Sequence, residues 1–213
     1  MFSVLTLLAI RILCGFGEGQ SIQFQKRGPL FDVRPDNDVF FEIVYPPELQ
    51  YTFKLRPAKD FGIPFNSSSL EERIPLVPTD PPHSCQTTKN AKELKGRVAL
   101  VERGECSFFI KSIMAEEAGA KAIIIADYYP ATIEESVSTP LWADHYYIQM
   151  IRDNTVPLAK TVNIPAGFLL GKNGKMIRQI LQQLDEPFAL INIPVNLTYM
   201  PLDKLHQPPW LFW

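Results

Sequence analysis

The stretch that decides the fold is Gly96-Arg-Val-Ala-Leu-Val-Glu-Arg-Gly104-Glu-Cys106-Ser-Phe-Phe-Ile-Lys111-Ser-Ile-Met-Ala-Glu-Glu-Ala-Gly119-Ala-Lys-Ala-Ile-Ile-Ile-Ala126. Residues 98–101 are apolar and partly β-branched, the composition of a short buried strand. Residues 102–106 form a charged turn in which Gly104 can take positive φ. Ser107 is placed to cap a helix, because Phe109, Ile110, Ile113, Met114 and Ala118 recur at helical spacing. Gly119 stops that helix as a left-handed cap. Residues 121–126 then read as a second buried strand. A strand, a short helix and a strand of these lengths predict a right-handed crossover between parallel strands. The unit carries no catalytic group, and its chemistry is packing plus one cysteine.

Working outward, residues 39–45 and 49–56 are two extended runs separated by Pro46-Pro47-Glu48. They predict a β-hairpin or a pair of adjacent antiparallel strands, with Tyr51, Phe53 and Leu55 on the core-facing side. Residues 57–84 read as loop with one short strand at 74–77. After the central unit, Pro130, Pro140 and Glu134-Glu135 mark an excursion from the core, and residues 146–151 predict a short helix. Residues 164–170 and 188–195 read as strands. Asn173-Gly174 reads as a turn into a second helix over 175–184, with Met176, Ile180 and Leu184 on one face.

Several of these features resemble the protease-associated domain family. The pattern lies in Gly96-Arg97-Val98-Ala99-Leu100-Val101, Arg103-Gly104, Cys106, Phe108, Lys111, Ala118-Gly119-Ala120 and Ala122-Ile123-Ile124. Further phrases are similar to a secreted branch of that family: Tyr51-Thr-Phe, Pro57-Ala-Lys-Asp-Phe-Gly62, Val101-Glu-Arg-Gly104, Phe168-Leu-Leu-Gly171, Ile193-Pro-Val-Asn196 and Gln207-Pro-Pro-Trp210, ending in Phe212-Trp213. The resemblance covers nearly all of the chain after its first forty residues. It implies an α+β, β-rich fold of the swivelling β/β/α type, with the strand–helix–strand unit at 97–126 and the second helix near 175–184. In larger family members the domain helps to recognise substrate or cargo, which implies protein or peptide binding here. The region around 128–155 departs from the family pattern.

With 213 residues, 46% of them hydrophobic, the chain supports one domain with a real core. A net charge of -2 recommends neither nucleic acid nor an anionic membrane as a partner. The 19 prolines divide the chain into short segments, which suits a β-rich fold with long loops. Residues 1–14 are mostly apolar and are followed by Gly15, Gly17 and Gly19, which predicts a secretory signal peptide cleaved after Gly17 or Gly19. Arg11 interrupts the apolar run, which is too short to span a bilayer. The expected organisation is a signal peptide at 1–19, a flexible arm at 20–37, the domain at 38–199 and an aromatic tail at 200–213. Lys26-Arg27 in the arm reads as ordinary charged linker rather than a processing site.

Removal of the leader would take Cys14 with it and leave the pair Cys85 and Cys106. In an oxidising compartment an even pair is expected to bridge, with a stabilisation of about 3 kcal/mol. Two Asn-X-Ser/Thr tripeptides, at Asn66 and Asn196, become expected glycan sites behind a leader. Asn66 lies in a polar loop, and Asn196 follows a strand and should face solvent.

Catalytic patterns are weak. His83, His145 and His206 form no zinc-binding spacing, and no Gly-x-Ser-x-Gly elbow accompanies them. Glu116 and Glu117 are helix neighbours about 100° apart and do not form a paired acid. Gly171-Lys-Asn-Gly174 lacks the spacing of a phosphate loop. The expectation is a non-enzyme without cofactor or metal. A minimal hydrolase built on His145 or His83, and a luminal accessory subunit retained in the secretory pathway, are the alternatives. Trp210, Phe212 and Trp213 in the tail are candidate partner-binding residues, because aromatics often anchor interfaces. The competing reading has the tail fold back over a sheet edge or core face.

Overall fold

The computed structural model of the protein describes residues 38–66, 70, 72–127, 148–201 and 204–210. Among these, seven strands and three α-helices follow one another as β1 (Val39–Tyr45), β2 (Thr52–Pro57), β3 (Ile74–Pro78), α1 (Ala91–Leu94), β4 (Val98–Glu102), α2 (Phe108–Glu117), β5 (Ala122–Ala126), β6 (Ala166–Leu169), α3 (Asn173–Gln183) and β7 (Ala189–Val195). A 3-10 turn, Pro47–Leu49, joins β1 to β2. The predicted strand–helix–strand unit is present. Strand β4 pairs in parallel with β5, from Val98 opposite Ala122 to Glu102 opposite Ala126. The Ser107 side chain accepts a hydrogen bond from the Ile110 N–H and so caps α2.

The sheet closes on itself in the order β1-β2-β6-β5-β4-β3-β7. Strands β3, β4, β5 and β6 are parallel neighbours, and antiparallel pairs complete the ring. The mixed sheet with few helices agrees with an α+β, β-rich fold. The closed barrel differs from the layered swivelling β/β/α arrangement expected above. The reason is that the β1–β2 hairpin and β7 bridge the two outer parallel strands: β2 bonds to β6, and β7 bonds to β3. Closure leaves the sheet no unpaired edge.

Two apolar clusters result. One gathers alternate residues from all seven strands, including Phe41, Phe53, Leu76, Leu100, Ile124, Leu169 and Ile191, together with Ile177 and Leu181 of α3. The other packs the opposite faces of β4, β5 and β6, through Val101, Ile123, Ile125 and Phe168, against Phe109 and Ile113 of α2 and against Met150, Val162 and Ile164. Strand β5 is therefore buried on both faces, which is why its sequence, Ala-Ile-Ile-Ile-Ala, shows no polar alternation.

Helix α3 begins at Asn173, so Asn173-Gly174 is its first turn and not a turn preceding it. Its buried residues are Asn173, Gly174, Ile177 and Leu181, whereas Leu184 is 39% exposed. The expected face of Met176, Ile180 and Leu184 is therefore rotated. The cause is contact with β5: a Cβ on Gly174 would lie 2.1 Å from the Ala126 Cβ, so only glycine lets the helix lie this close. The helix expected at 146–151 is absent over residues 148–151, and its beginning lies outside the described residues.

Candidate functional site

The central turn is where most of the unusual chemistry gathers. Cys85, in the loop between β3 and α1, is bridged to Cys106, just before the α2 cap, with an S–S length of 2.08 Å. Beneath the bridge lies Lys111 of α2, which is fully buried. Helical periodicity gives Lys111 no hint of burial, because a lysine on an amphipathic helix is ordinarily solvated. Its Nζ donates to the His83 carbonyl at 2.6 Å and lies 3.6 Å from the Cys85 Sγ. Burial pulls its pKa down to about 8, and the carboxylates of Glu105 and Glu102 act in the opposite direction. The His83 ring lies over the same turn: Nδ1 is 3.0 Å from the Arg103 carbonyl, and Nε2 is 3.6 Å from a Glu105 carboxylate oxygen. Arg103 in turn donates to Asp127, the residue after β5, at 2.6 Å. Positive φ at Ser84, Gly104 and Glu105 marks both arms of this corner.

Two open clefts flank the barrel. The first, about 500 Å³, lies between α3 and the loop after β3, and is lined by Pro82, Asn90, Glu102, Lys175, Arg178 and Glu186 among others. Its central cation is committed to the fold. Arg178 donates to the Leu100 carbonyl at 2.6 Å and to the Thr79 carbonyl at 3.4 Å, and pairs with Glu102 at 3.2 Å. Burial lowers its pKa while Glu102 raises it.

The second cleft, about 600 Å³, is more apolar. Residues 57–65 form one wall, with Phe61, Ile63, Pro64 and Phe65 facing Val39 and Ala166 and with Asp38, Lys59 and Asp60 at the rim. That wall is held by backbone bonds: Ala58 N–H to the Ala166 carbonyl (2.9 Å), Lys59 N–H to Met150 (3.0 Å) and Ile63 N–H to Ile164 (3.3 Å). The Asp60 carboxylate accepts from the Arg152 N–H at 2.6 Å, and Arg152 lies over the Phe109 ring. Asp38 receives both Lys54 and Arg56. The groove is thus rigid-backed, while Ile63 is 40% exposed at its mouth.

The structure scatters the residues singled out in the sequence. Asn66 and Asn196 are both exposed. The Asn196 Oδ1 accepts from the N–H and the hydroxyl of Thr198, at 3.0 and 2.6 Å. Trp210 is half-buried, edge-on to Tyr51 at 5.4 Å, and its Nε1 donates to the Asn173 Oδ1 at 2.9 Å. The chain just before it follows β2, where the His206 carbonyl accepts from the Thr52 N–H. Phe212, Trp213 and His145 lie outside the described residues. His83 and His206 are 3.0 Å or less from backbone carbonyls. Among the described residues, no set of three or more His, Cys, Asp or Glu could hold a metal ion. None of their helices is long and apolar enough to cross a membrane. The sequence reading quoted Lys111 and residues 57–62 only as parts of a family pattern and gave no site role to them or to Arg178, because their surroundings come together only through the tertiary fold.

A PRADC1-like protein of Drosophila melanogaster is 54% identical over 176 residues, covering 83% of each chain. The PA domain signature matches residues 72–177, which span β3 to the middle of α3. The chain belongs to the PA domain family. This PA domain chain also matches the human ER degradation-enhancing alpha-mannosidase-like protein 3, at 27% identity over 148 residues. That match takes in 70% of this chain but 15% of the much longer relative. Among solved structures, BSAP, a zinc aminopeptidase from Bacillus subtilis, aligns over 73% of this chain and 30% of its own, with a TM-score of 0.42 and 18% identity.

Proposed function

We propose that this chain is a secreted, N-glycosylated, non-catalytic protein made of a single PA domain that binds another protein or peptide. The groove formed by residues 57–65 carries this reading. It offers aromatic and aliphatic walls, a polar rim and a backbone already fixed before binding, which is what an extended peptide needs to be held without a large ordering cost. Two further observations support a binding module over a hydrolase. His83 and His206 both lie against backbone carbonyls, and a relative matched over 83% of its own length is named a PRADC1-like protein. The leader at 1–19, the arm at 20–37, the domain at 38–199 and the tail at 200–213 complete the proposed organisation. The exposed Asn66 and Asn196 are the proposed glycan acceptors.

Panning the purified glycoprotein against a displayed library of random peptides tests the binding. We expect enrichment of apolar sequences, lost in an Ile63→Asp variant that keeps the wild-type melting temperature. No enrichment, or enrichment unchanged by Ile63→Asp, refutes the groove. A second reading, retention in the lumen of the secretory pathway, is favoured by similarity to a relative named for ER degradation enhancement. Glycans that stay sensitive to endoglycosidase H, on protein found in lysate but not in medium, would select it over free secretion.

A further inference from the structure

We propose that the Cys85–Cys106 bridge is a thiol–disulfide exchange site at which a small-molecule thiolate attacks Cys106 and the Lys111 ammonium stabilises the departing Cys85 thiolate.

Three observations carry it. Both cysteines are half-buried, and Cys106 follows the exposed Gly104 and Glu105, which places it at the surface of the corner. Cys85 Sγ lies 3.6 Å from the Nζ of a lysine that has no exposure to solvent. A cation so placed favours a thiolate, and a more stable leaving thiolate speeds exchange and makes the bridge easier to reduce. The corner is also held in tension: Ser84 and Glu105, each preceding one of the two cysteines, sit at φ of 46° and 64°, a region that ordinary side chains avoid. Breaking the bridge lets both relax.

The polarity of the reaction follows from the neighbours. Cys106 stands next to the start of α2, whose positive end would also favour a thiolate. That end is partly spent, because the Ile110 N–H is taken by Ser107. A full buried charge at 3.6 Å outweighs it, so Cys85 leaves and Cys106 is attacked. At pH 7 Lys111 is mostly protonated, since its pKa of about 8 still lies above the ambient pH. The step balances as RS⁻ plus Cys85–S–S–Cys106 giving Cys106–S–S–R and the Cys85 thiolate. A second thiolate then releases R–S–S–R and leaves both cysteines reduced. The pair of electrons comes from the small thiol, glutathione being the probe of choice. Opening frees the loop that carries Pro82 and His83. Pro82 accepts from the Glu102 N–H and lines the Arg178 cleft, so the state of the bridge reshapes that cleft.

The test treats the full-length, folded protein with glutathione at pH 7, quenches with an alkylating agent and maps both cysteines by mass. The expected product carries glutathione on Cys106 and alkyl on Cys85. Glutathione found mainly on Cys85, or a bridge that resists 10-fold more thiol than an unstructured control peptide, overturns the proposal. In a glutathione redox titration, Lys111→Met is expected to shift the half-reduction midpoint towards more reducing conditions than wild type, because removing the cation destabilises the Cys85 thiolate. An unchanged midpoint in folded Lys111→Met also overturns it. If that variant does not fold, the wild-type trapping result decides alone.

Discussion

Replacing Gly174 with alanine sets two effects against each other. By helix propensity alone, an alanine in place of an α3 glycine should stabilise by about 1 kcal/mol. The tertiary contact predicts the opposite sign. The new methyl would sit 2.1 Å from the Ala126 Cβ and 3.4 Å from its Cα. Two carbons reach their best separation at about 3.5–4.0 Å, so the helix must retreat by about 1.5 Å at its first turn. Neither side yields easily. Ala126 is held in the middle of the parallel sheet, opposite Glu102 and Leu169, and its carbonyl accepts from Arg103. On the other side, Ile177 and Leu181 anchor α3 in the main core cluster. Overpacking of this kind destabilises by about 1–3 kcal/mol and sometimes more, and the steepness of this contact puts it at the top of that range. After the propensity gain is subtracted, Gly174→Ala should lose about 2 kcal/mol, or about 4–8 °C in melting temperature for a domain of this size. Urea unfolding of wild type, Gly174→Ala, Ala126→Gly and the double variant checks the reasoning. Ala126→Gly alone should lose about 1 kcal/mol, and the double variant should recover most of what Gly174→Ala loses. A Gly174→Ala protein as stable as wild type, or losses that simply add in the double variant, would refute the contact as the cause.

Further predictions follow from the same kind of reasoning. Gly62→Ala should destabilise by about 2 kcal/mol, because φ is +78° there and a Cβ would lie 2.9 Å from the Ile164 carbonyl; calorimetry reads this directly. Trp210→Phe should lose about 1 kcal/mol by leaving the buried Asn173 oxygen without its indole donor, and Trp210→Ala should lose more by also emptying the space beside Tyr51. Equal losses in the two variants would assign the whole effect to the lost hydrogen bond. Lys111 has a folded pKa lowered to about 8 from an ordinary 10.5, so the unfolded chain binds more protons between those values. Its unfavourable burial is fully present below pH 8 and is relieved as the pH rises towards 10.5. Thiol-free denaturation from pH 7 to 10 should show wild type gaining stability relative to Lys111→Met across that window.

What could be read without a structure was local. The strand–helix–strand unit at 97–126 showed itself because apolar spacing, a capping serine and a terminal glycine all act over a few residues, and the structure places β4, α2 and β5 within that range. The pairing of Phe41 with Phe53 across β1 and β2 was foreshadowed by two runs of strand-forming residues a short turn apart. The cysteine pair was legible by count once the leader was set aside, and the bridge is present. Helix α3 was found, yet its buried face was misread: its rotation is fixed by a contact with Ala126, 48 positions away, and not by the helix's own periodicity.

The sequence by itself determined the strand–helix–strand unit, most of the strands and the family of the chain, because those depend on patterns carried by neighbouring residues. Only the tertiary structure decided that the sheet closes into a barrel, since closure depends on β2 meeting β6 and β7 meeting β3 across long separations. It also decided that Lys111, a residue of a polar type on an ordinary helix, is sealed beneath the disulfide, and that residues 57–65 stand against Val39 and Ala166 to form a groove. Burial and juxtaposition are properties of the packed chain, and side-chain type alone does not encode them.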